Sequence, residues 1–306
     1  MTGSVTVGFM PIMARRLYED GLSPSSMLLW RYALALLPLL AAAALLRLDF
    51  RHAWRNGAWL IALVGATLGA AQTLCFWQSI ETLETSIAVL LFYTYPALTL
   101  LLDRVIFKRA IRLPAVLCIA TILFGAALIT GPGMSGQRLD LRGLLWAAPS
   151  PVFYAAYLAV TTQLLRRHPP LIGAAFLYIG MGATFAVTGL WLGVGTPGTS
   201  AGWLLLLFVG LVPGALTITL FSYSAPRLGP SSYAIIANME LVTVVAVGVL
   251  VLHETMSPAR AVGGALIVAG IVMHGLSRRS AATRAAPLPS SRPPATRAPS
   301  PASGGG

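Results

Sequence analysis

The sequence predicts an all-α integral membrane protein with ten transmembrane helices arranged as two inverted five-helix repeats. Hydrophobic residues make up 57% of the 306 residues and charged residues only 10%, whereas soluble domains contain about 25% charged residues. The apolar runs are long enough for single helices to cross a hydrocarbon core of roughly 30 Å. Two parts of the chain also align with each other, without a gap, at a constant offset of 145 residues, which places Gly65 on Gly210.

Nine of the predicted helices are apolar runs of membrane-spanning length, and the first is shorter. The stretch from Ser4 to Met13 is followed by Arg15 and Arg16. Either the start of this helix is truncated, which we favour, or the helix continues through Tyr18 while its arginines extend to the membrane surface. The other predicted spans are Ser26 to Leu46, Gly57 to Ser79, Thr85 to Leu102, Leu113 to Thr130, Gly143 to Leu165, Leu171 to Val194, Gly202 to Ser224, Pro230 to Leu252 and Pro258 to Leu276.

These spans divide the chain into two repeats and a tail. The first repeat covers residues 1–130, a connection predicted to be periplasmic covers 131–142, and the second repeat covers 143–276. The connections are short and rich in Pro, Gly and Ser, which favours a compact bundle without an inserted domain. Residues 277–306 are rich in Pro, Ser, Ala and Arg, so we predict a disordered, basic cytoplasmic tail.

The distribution of basic residues predicts the orientation. With both termini in the cytoplasm, 15 of the 21 basic residues lie in inner loops and the tail, five lie in outer loops, and Arg31 lies within a helix. The positive-inside rule therefore places both termini in the cytoplasm. The net charge of +12 follows from this distribution, and we expect no nucleic-acid partner.

The constant offset indicates an internal repeat. Because each half contains an odd number of helices, the second copy enters the membrane with the opposite orientation. Inverted repeats are typical of secondary transporters, which bind substrate near the membrane midplane between the repeats. The motifs GATLG (Gly65 to Gly69) and GLVPG (Gly210 to Gly214) coincide at this offset and are predicted to pack helices closely. The offset also superposes Phe76 on Phe221, Ser79 on Ser224, Leu83 on Leu228, Ser86 on Ser231 and Gly125 on Gly270.

Glu240 is the central candidate for the binding site. It is the one ionisable residue in the apolar run from Pro230 to Leu252 and lies near its middle. A carboxylate there costs several kcal/mol if it faces lipid, so it should face a protein interior or a wet cavity. The alternative is a structural role, in which a neutral Glu240 hydrogen-bonds a neighbouring helix.

The alignment of the two repeats adds further candidate site residues at the same predicted membrane depth as Glu240. The offset pairs Tyr95 with Glu240 and Tyr93 with Asn238. Positions 238 and 240 lie about 200° apart around a regular helix, so we rank Glu240 above Asn238 and Tyr95 above Tyr93. Trp77 and Tyr157 complete the predicted substrate-binding set. Further candidates are Gln72, Tyr154, Tyr178 and Tyr223, while Tyr233 shares the predicted helix face of Glu240.

Two other residues inside the spans have specific predicted effects. Pro96 removes the hydrogen bond to the Phe92 carbonyl, which predicts a local helix break; in the second repeat Leu241 occupies the matching position. Arg31 lies about one turn inside its helix. Extension of its side chain to the outer surface explains Arg31 more simply than a role as counter-ion to an anionic substrate.

The C-terminal sequence ELVTVVAVGVLVLHETMSPARAVGGALIVAGIVM and the N-terminal sequence YEDGLSPSSMLLWRYALALLPLL resemble the EamA family of the drug/metabolite transporter superfamily. The family's ninth helix typically reads EP, then apolar residues, then GE. Glu240 matches the first Glu, Leu241 replaces the proline, and His253 with Glu254 stands where GE is usual. The resemblance extends to Leu276 and implies a bacterial inner-membrane exporter of amino acids, metabolites or drugs, by proton exchange or facilitated passage.

We therefore expect a secondary transporter that works by alternating access, with Glu240 as the candidate group for proton coupling. The alternatives are an uncoupled facilitator or a channel, and saturable flux with exchange separates a transporter from a channel. A membrane-embedded enzyme is less favoured because the sequence lacks a nucleophile and base constellation. We expect no cofactor and no metal; the expected partners are a small-molecule substrate, membrane lipid and, as a candidate assembly, a second copy of the chain.

Overall fold

The computed structural model describes residues 10–80, 82–83, 85–108, 113–130, 140–238, 240–241 and 258–285, and within these ranges the regular secondary structure is helical without strands. Five helices in this part of the chain are long and apolar enough to cross a membrane. The predicted all-α membrane architecture is therefore confirmed. The number of ten spans is not fully established, because the other described helices are shorter or less apolar.

We number the helical segments in chain order. They are α1 Met10–Glu19, α2 Pro24–Leu45, α3 Phe50–Ser79, α4 Thr85–Phe92, α5 Tyr95–Phe107, α6 Leu113–Thr130, α7 Leu141–Arg167, α8 Pro170–Leu192, α9 Ser200–Leu228, α10 Pro230–Ala237 and α11 Pro258–Ala285.

Local signals in the sequence account for many of the helix ends. The side chains of Ser23 and Thr199 accept hydrogen bonds from backbone N–H groups in the first turns of α2 and α9, which satisfies donors that a helix leaves unpaired at its start. Gly193 and Gly229 follow α8 and α9 with φ values of +81° and +84°. Glycine adopts this left-handed conformation without a Cβ clash, so both helices end there.

The offset found in the sequence recurs in the helix boundaries. Helix α4 begins at Thr85 and α10 at Pro230, while α6 begins at Leu113 and α11 at Pro258. Short π-helical turns inside α3 and α9 begin at Gly65 and Gly210, again separated by the same offset. The repeat detected in the sequence is thus present in the folded chain.

The contact between α6 and α11 obeys the same internal symmetry. A Cβ built on Gly125 would lie 2.6 Å from the carbonyl oxygen of Gly263, and one built on Gly270 would lie 3.1 Å from that of Cys118. The offset that superposes the repeats takes positions 118 and 125 onto 263 and 270. The two repeats therefore meet here through equivalent residues, as expected for copies related by a pseudo-two-fold axis.

The two glycine motifs pack helices, as the sequence predicts. A Cβ on Gly65 would lie 2.5 Å from the backbone oxygen of Leu177 in α8, and a Cβ on Gly210 would lie 2.6 Å from the Cβ of Leu34 in α2. Helix α3 therefore contacts α8 in the way that α9 contacts α2. Each glycine pair joins one repeat to the other.

Three predicted boundaries need correction. Helix α1 continues past Arg15 and Arg16 to Glu19; residues 1–9 lie outside the described residues. Helix α7 begins at Leu141 with Asp140 as its cap, earlier than the predicted start at Gly143; residues 131–139 of the predicted periplasmic connection are not described.

The third correction concerns the predicted tail. Helix α11 continues to Ala285, although we predicted disorder from residue 277. Residues 277–285 are rich in alanine and arginine, which are strong helix formers. Residues 286–306, the rest of the predicted tail, lie outside the described residues, as do residues 242–252 of the ninth predicted span and residues 253–257 after it.

Candidate functional site

The first repeat has an interrupted helix at the predicted position. Helix α4 ends at Phe92 and α5 begins at Tyr95. Pro96 has no N–H to bond to the Phe92 carbonyl. Between the helices, the Thr94 N–H bonds to the Leu91 oxygen at 3.1 Å, and the Thr94 hydroxyl donates to the same oxygen at 2.7 Å. The predicted break is confirmed.

The second repeat is interrupted at the equivalent position without a proline. Helix α10 ends at Ala237, the residue that the repeat offset superposes on Phe92. The Asn238 side chain donates to the Ala234 oxygen at 2.7 Å, and the Asn238 N–H bonds instead to the Ile235 oxygen at 3.3 Å. An asparagine side chain that takes a helical acceptor offers the backbone an alternative to the helix. Asn238 therefore has the effect that Pro96 has in the first repeat.

A cluster of tyrosines lies beside the two interruptions. Tyr95 donates from its hydroxyl to the Ala234 oxygen at 3.2 Å, which joins the first interruption to α10. The ring of Tyr154 in α7 is 4.7 Å from that of Tyr95 and 6.0 Å from that of Tyr157. Phe221 in α9 connects Tyr157 to Tyr233 through ring distances of 5.7 and 5.0 Å. We call Tyr93, Tyr95, Tyr154, Tyr157 and Tyr233 the tyrosine cluster.

Glu240 is half-buried beside this cluster. Its carboxyl group lies within electrostatic range of Tyr93, Tyr95, Tyr154 and Tyr233. The interruption after Ala237 separates Glu240 from the regular geometry of α10. Tyrosine hydroxyl groups from both repeats therefore lie within electrostatic range of the predicted site residue.

Arg31 in α2 supplies a positive charge near Glu240. Its guanidinium lies within electrostatic range of Glu240 and of the Tyr178 hydroxyl. That hydroxyl donates to the Gly214 oxygen at 3.1 Å. The Nε atom of Arg31 is buried and has no hydrogen-bond partner among the residues that the structure describes. The predicted extension of the Arg31 side chain to the outer surface stays a prediction, since the buried Nε does not place the end of the guanidinium.

The structure brings most of the predicted site residues together. Tyr93, Tyr95 and Tyr157 belong to the cluster and are nearly inaccessible to solvent. Trp77 is also buried, and the rings of Phe76 and Phe92 connect it to the cluster. Its role in shaping the pocket stays a prediction.

Two rankings made from the sequence have no support in the structure. The prediction that Asn238 and Glu240 lie on opposite faces assumed a regular helix, whereas α10 ends at Ala237, just before Asn238. Tyr93 and Tyr95 both lie within electrostatic range of Glu240, so geometry does not favour Tyr95. Asn238 is fully buried, and its Oδ1 atom has no hydrogen-bond partner within the described ranges.

Sequence reasoning gave too little weight to Arg31, Tyr154 and Tyr233. A signal was available for Arg31, because Arg31 and Glu240 are the charged residues within the predicted spans apart from Arg260 at the start of the last one. Tyr223, also a candidate, is exposed with the Arg227 guanidinium 3.6 Å from its ring centre. It lies at the surface and not in the cluster.

The arrangement offers a small molecule three kinds of interaction. Tyrosine hydroxyls donate and accept hydrogen bonds, tyrosine faces attract cationic groups, and Arg31 and Glu240 carry opposite charges. In the described ranges no group of three or more His, Cys, Asp or Glu residues is placed to hold a metal ion.

A cavity lies away from the tyrosine cluster, at one end of the bundle. It has a volume of about 680 Å³ and is lined by residues of α1, Asp20 and the segment from Thr199 to Phe208. Its walls come from outside the tyrosine cluster, so this cavity is separate from the candidate site.

Comparison with protein-family models identifies one family, and the similar proteins are transporters. Residues 1–131 and 141–276 each match the model of the EamA-like transporter family. An uncharacterized transporter of Archaeoglobus fulgidus is 25% identical over 271 residues, covering 88% of this chain and 92% of that protein. The uncharacterized transporter YwfM of Bacillus subtilis is 23% identical over 75% of this chain and 77% of its own length.

A solved crystal structure shows the same fold. It has a TM-score of 0.76 and 18% identity, and the match covers 92% of this chain and 96% of that one. The two family matches correspond to the two repeats, and the gap between them falls at the predicted connection. The chain belongs to the EamA-like transporter family of the drug/metabolite transporter superfamily, whose members are multi-pass membrane proteins.

Proposed function

We propose that this protein is a secondary transporter that exports a small organic molecule across the bacterial inner membrane by alternating access. The main support is the pair of interrupted helices after Phe92 and Ala237, at equivalent positions of the two repeats. In transporters with inverted repeats, substrate sites lie near the midplane where helices are discontinuous. Glu240 and the tyrosine cluster adjoin both interruptions.

The proposed roles follow from the chemistry of the side chains. Glu240 binds a cationic or hydrogen-bonding group of the substrate, or exchanges a proton for it. Arg31 balances the charge of Glu240 when no substrate is bound. Tyr93, Tyr95 and Tyr157 shape the pocket, Asn238 offers its free Oδ1 acceptor to substrate, and Trp77 lies behind this layer.

Contacts between the repeats indicate where the molecule would open. At one end, the Asp20 carboxylate accepts hydrogen bonds from the backbone N–H and hydroxyl of Thr199 at 3.2 and 3.1 Å. Near it, the Gly195 N–H donates to the Ser26 hydroxyl at 2.9 Å. Elsewhere between the repeats, the Ser231 hydroxyl donates to buried Asp103. Alternating access requires such contacts to separate at one end while the other end stays closed.

Exchange in proteoliposomes tests this function. Vesicles containing the purified protein would be loaded with one unlabelled compound from a panel of amino acids, sugars, nucleosides and cationic drugs, and uptake of the labelled compound followed. We expect at least one compound to show saturable uptake that is stimulated by the same compound inside. Glu240→Gln should abolish this exchange and Glu19→Gln, a change at an exposed position, should retain it.

The outcome also separates the alternatives. Flux that does not saturate and is not stimulated from the opposite side would indicate a channel. Saturable exchange without dependence on a pH gradient would indicate an uncoupled facilitator. A pH gradient that drives accumulation in the wild type would support proton coupling.

A further inference from the structure

A second cavity, smaller than the one beside Asp20, lies at the N-terminal end of α3, far in sequence from Glu240. It has a volume of about 380 Å³ and is lined by Phe50, Arg51, Trp54, Arg55 and Phe176. We call it the arginine pocket. Its chemistry differs from that of the tyrosine cluster, because its charged residues are both arginines.

The pocket exists because α3 bends at its beginning. Gly57 has a φ of +90°, and with Asn56 it departs from helical geometry. Residues 50–55 therefore form a short helical segment set off from the membrane-spanning part of α3. Arg51 and Arg55 are four residues apart, a spacing that places both side chains on one face of this segment.

Aromatic rings form the floor of the pocket. Phe176 of α8 is buried, and its ring lies 5.7 Å from that of Phe50 and 6.1 Å from that of Trp54. Phe176 is six residues from the start of α8, roughly 9 Å along the helix axis. The pocket thus combines a charged rim with an apolar floor that extends inward. Trp54 is 56% exposed, and tryptophan is enriched where membrane helices meet the headgroup layer.

The local charge is positive and incompletely balanced. The stretch from Arg47 to Trp59 contains three arginines and one acid, Asp49. The Asp49 carboxylate accepts the His52 N–H at 2.9 Å. This hydrogen bond, together with the nearby charges of His52 and Arg51, lowers the pKa of Asp49. Asp49 therefore stays ionised as a helix cap, and the surrounding stretch keeps a surplus of two positive charges.

We propose that the arginine pocket binds the phosphate of an anionic phospholipid headgroup. Guanidinium groups bind phosphate oxygens through paired hydrogen bonds, and the aromatic floor is suited to the apolar part of the lipid below its phosphate. Inorganic phosphate would use the arginines but not the floor. This pocket also lies on the side of the bundle with the predicted inner loops, where anionic lipids attract basic residues. The proposal is independent of the function assigned to Glu240.

Lipid-dependent thermal stability of the purified full-length protein tests the proposal. The melting temperature would be measured in detergent with added phosphatidylglycerol, phosphatidylcholine or inorganic phosphate. The test variant is Arg51→Gln/Arg55→Gln. The matched control is Arg104→Gln/Lys108→Gln, which removes two exposed positive charges, one in the last turn of α5 and one directly after it.

We expect phosphatidylglycerol to raise the melting temperature of the wild type and of the Arg104→Gln/Lys108→Gln control. Phosphatidylcholine and inorganic phosphate should not raise it. The test variant should bind phosphatidylglycerol about 30-fold more weakly, since each arginine near an anionic headgroup contributes about fivefold in affinity. Trp54→Ala, a change at an exposed position, should also weaken the effect, so the prediction can be tested even if the double variant does not fold.

Equal stabilisation of the wild type and the arginine variant by phosphatidylglycerol would overturn the proposal. Equal stabilisation of the wild type by phosphatidylcholine would overturn the requirement for an anionic headgroup. If inorganic phosphate stabilised the wild type as strongly as phosphatidylglycerol, the pocket would be a phosphate site and not a lipid site.

Discussion

Arg31 and Glu240 are far apart in the sequence, and the fold brings their charged groups close enough to interact electrostatically. Each lies within electrostatic range of the other, and the Arg31 Nε atom has no hydrogen-bond partner in the described part of the chain. An ionised group in such surroundings is tolerated when an opposite charge is near. This environment is the basis of the proposal that Arg31 balances the charge of Glu240 when no substrate is bound.

This pairing predicts energetic coupling between the two side chains. We expect Arg31→Gln and Glu240→Gln each to lower the free energy of unfolding by about 2 kcal/mol, because each leaves the partner charge less compensated. The double variant should lose less than the sum, by about 1 kcal/mol or more. The measurement is a double-mutant cycle on detergent-solubilised protein. Arg31→Gln combined with Glu19→Gln is the control and should be additive; additivity in both cycles would contradict the pairing.

The sequence was sufficient to identify Glu240 as a candidate site residue, but not to place Arg31 near it. The energetic cost of a carboxylate inside an apolar span depends only on the sequence around it, so Glu240 could be identified directly. The environment of Arg31 depends on how α2 is rotated about its axis and on what packs against it. A residue one turn from a helix end can reach the membrane surface or lie inside the bundle, and only the tertiary structure distinguishes these two locations.

Interrupted helices are the elements that position the candidate site. The first interruption could be predicted because Pro96 lacks a donor. The second could not, because Leu241 replaces the proline and the interruption depends on the hydrogen bond from the Asn238 side chain to Ala234. Many asparagines lie in helices without ending them, so the sequence alone does not identify this effect.

The two interruptions should be removable by different substitutions. Pro96→Ala restores an N–H group, and Asn238→Ala removes the competing side chain, so each variant favours a continuous helix. We expect both to keep a wild-type melting temperature within a few degrees and to lose exchange activity in proteoliposomes. Pro38→Ala, which changes a proline inside α2, is the control and should keep activity. Full activity of both test variants would show that the interruptions are not needed.

Close helix packing gives a second prediction for the elements. A Cβ on Gly180 of α8 would collide with the Ala62 carbonyl oxygen in α3, whereas a Cβ on Gly264 of α11 would meet no atom within 4 Å. We expect Gly180→Ala to lower the free energy of unfolding by about 1–3 kcal/mol or more. Gly264→Ala should be neutral or stabilising by up to about 1 kcal/mol, because alanine favours helix. Thermal unfolding of both variants checks this, and equal stability would contradict the packing.

The whole molecule consists of two repeats joined by packed helices, by contacts near the ends and by the candidate site. The constant offset found in the sequence predicted which helices correspond. It did not predict the contacts between the loops, because loops are not constrained to repeat. Ser26 of the first repeat and Gly195 of the second illustrate this, since their hydrogen bond joins a helix start to a loop.

Alternating access predicts that a covalent link at this end stops transport. A Cβ on Gly195 would lie 3.8 Å from the Ser26 Cβ, a typical separation for a disulfide. We expect oxidised Ser26→Cys/Gly195→Cys to lose exchange and to recover it on reduction. The single variants are controls, and the native Cys75 and Cys118 are buried. Transport by the fully cross-linked protein would show that this end does not need to open.

Glu240 as a substrate ligand is tested most directly by ligand-dependent thermal stability. Wild type, Glu240→Gln and Glu19→Gln would be heated with amino acids, sugars, nucleosides, phosphorylated metabolites and cationic drugs. A ligand of the folded state adds about 2.7 kcal/mol at a hundredfold excess over its Kd. We predict a compound that stabilises wild type and Glu19→Gln but not Glu240→Gln. A compound that stabilises all three equally would contradict the placement of substrate at Glu240.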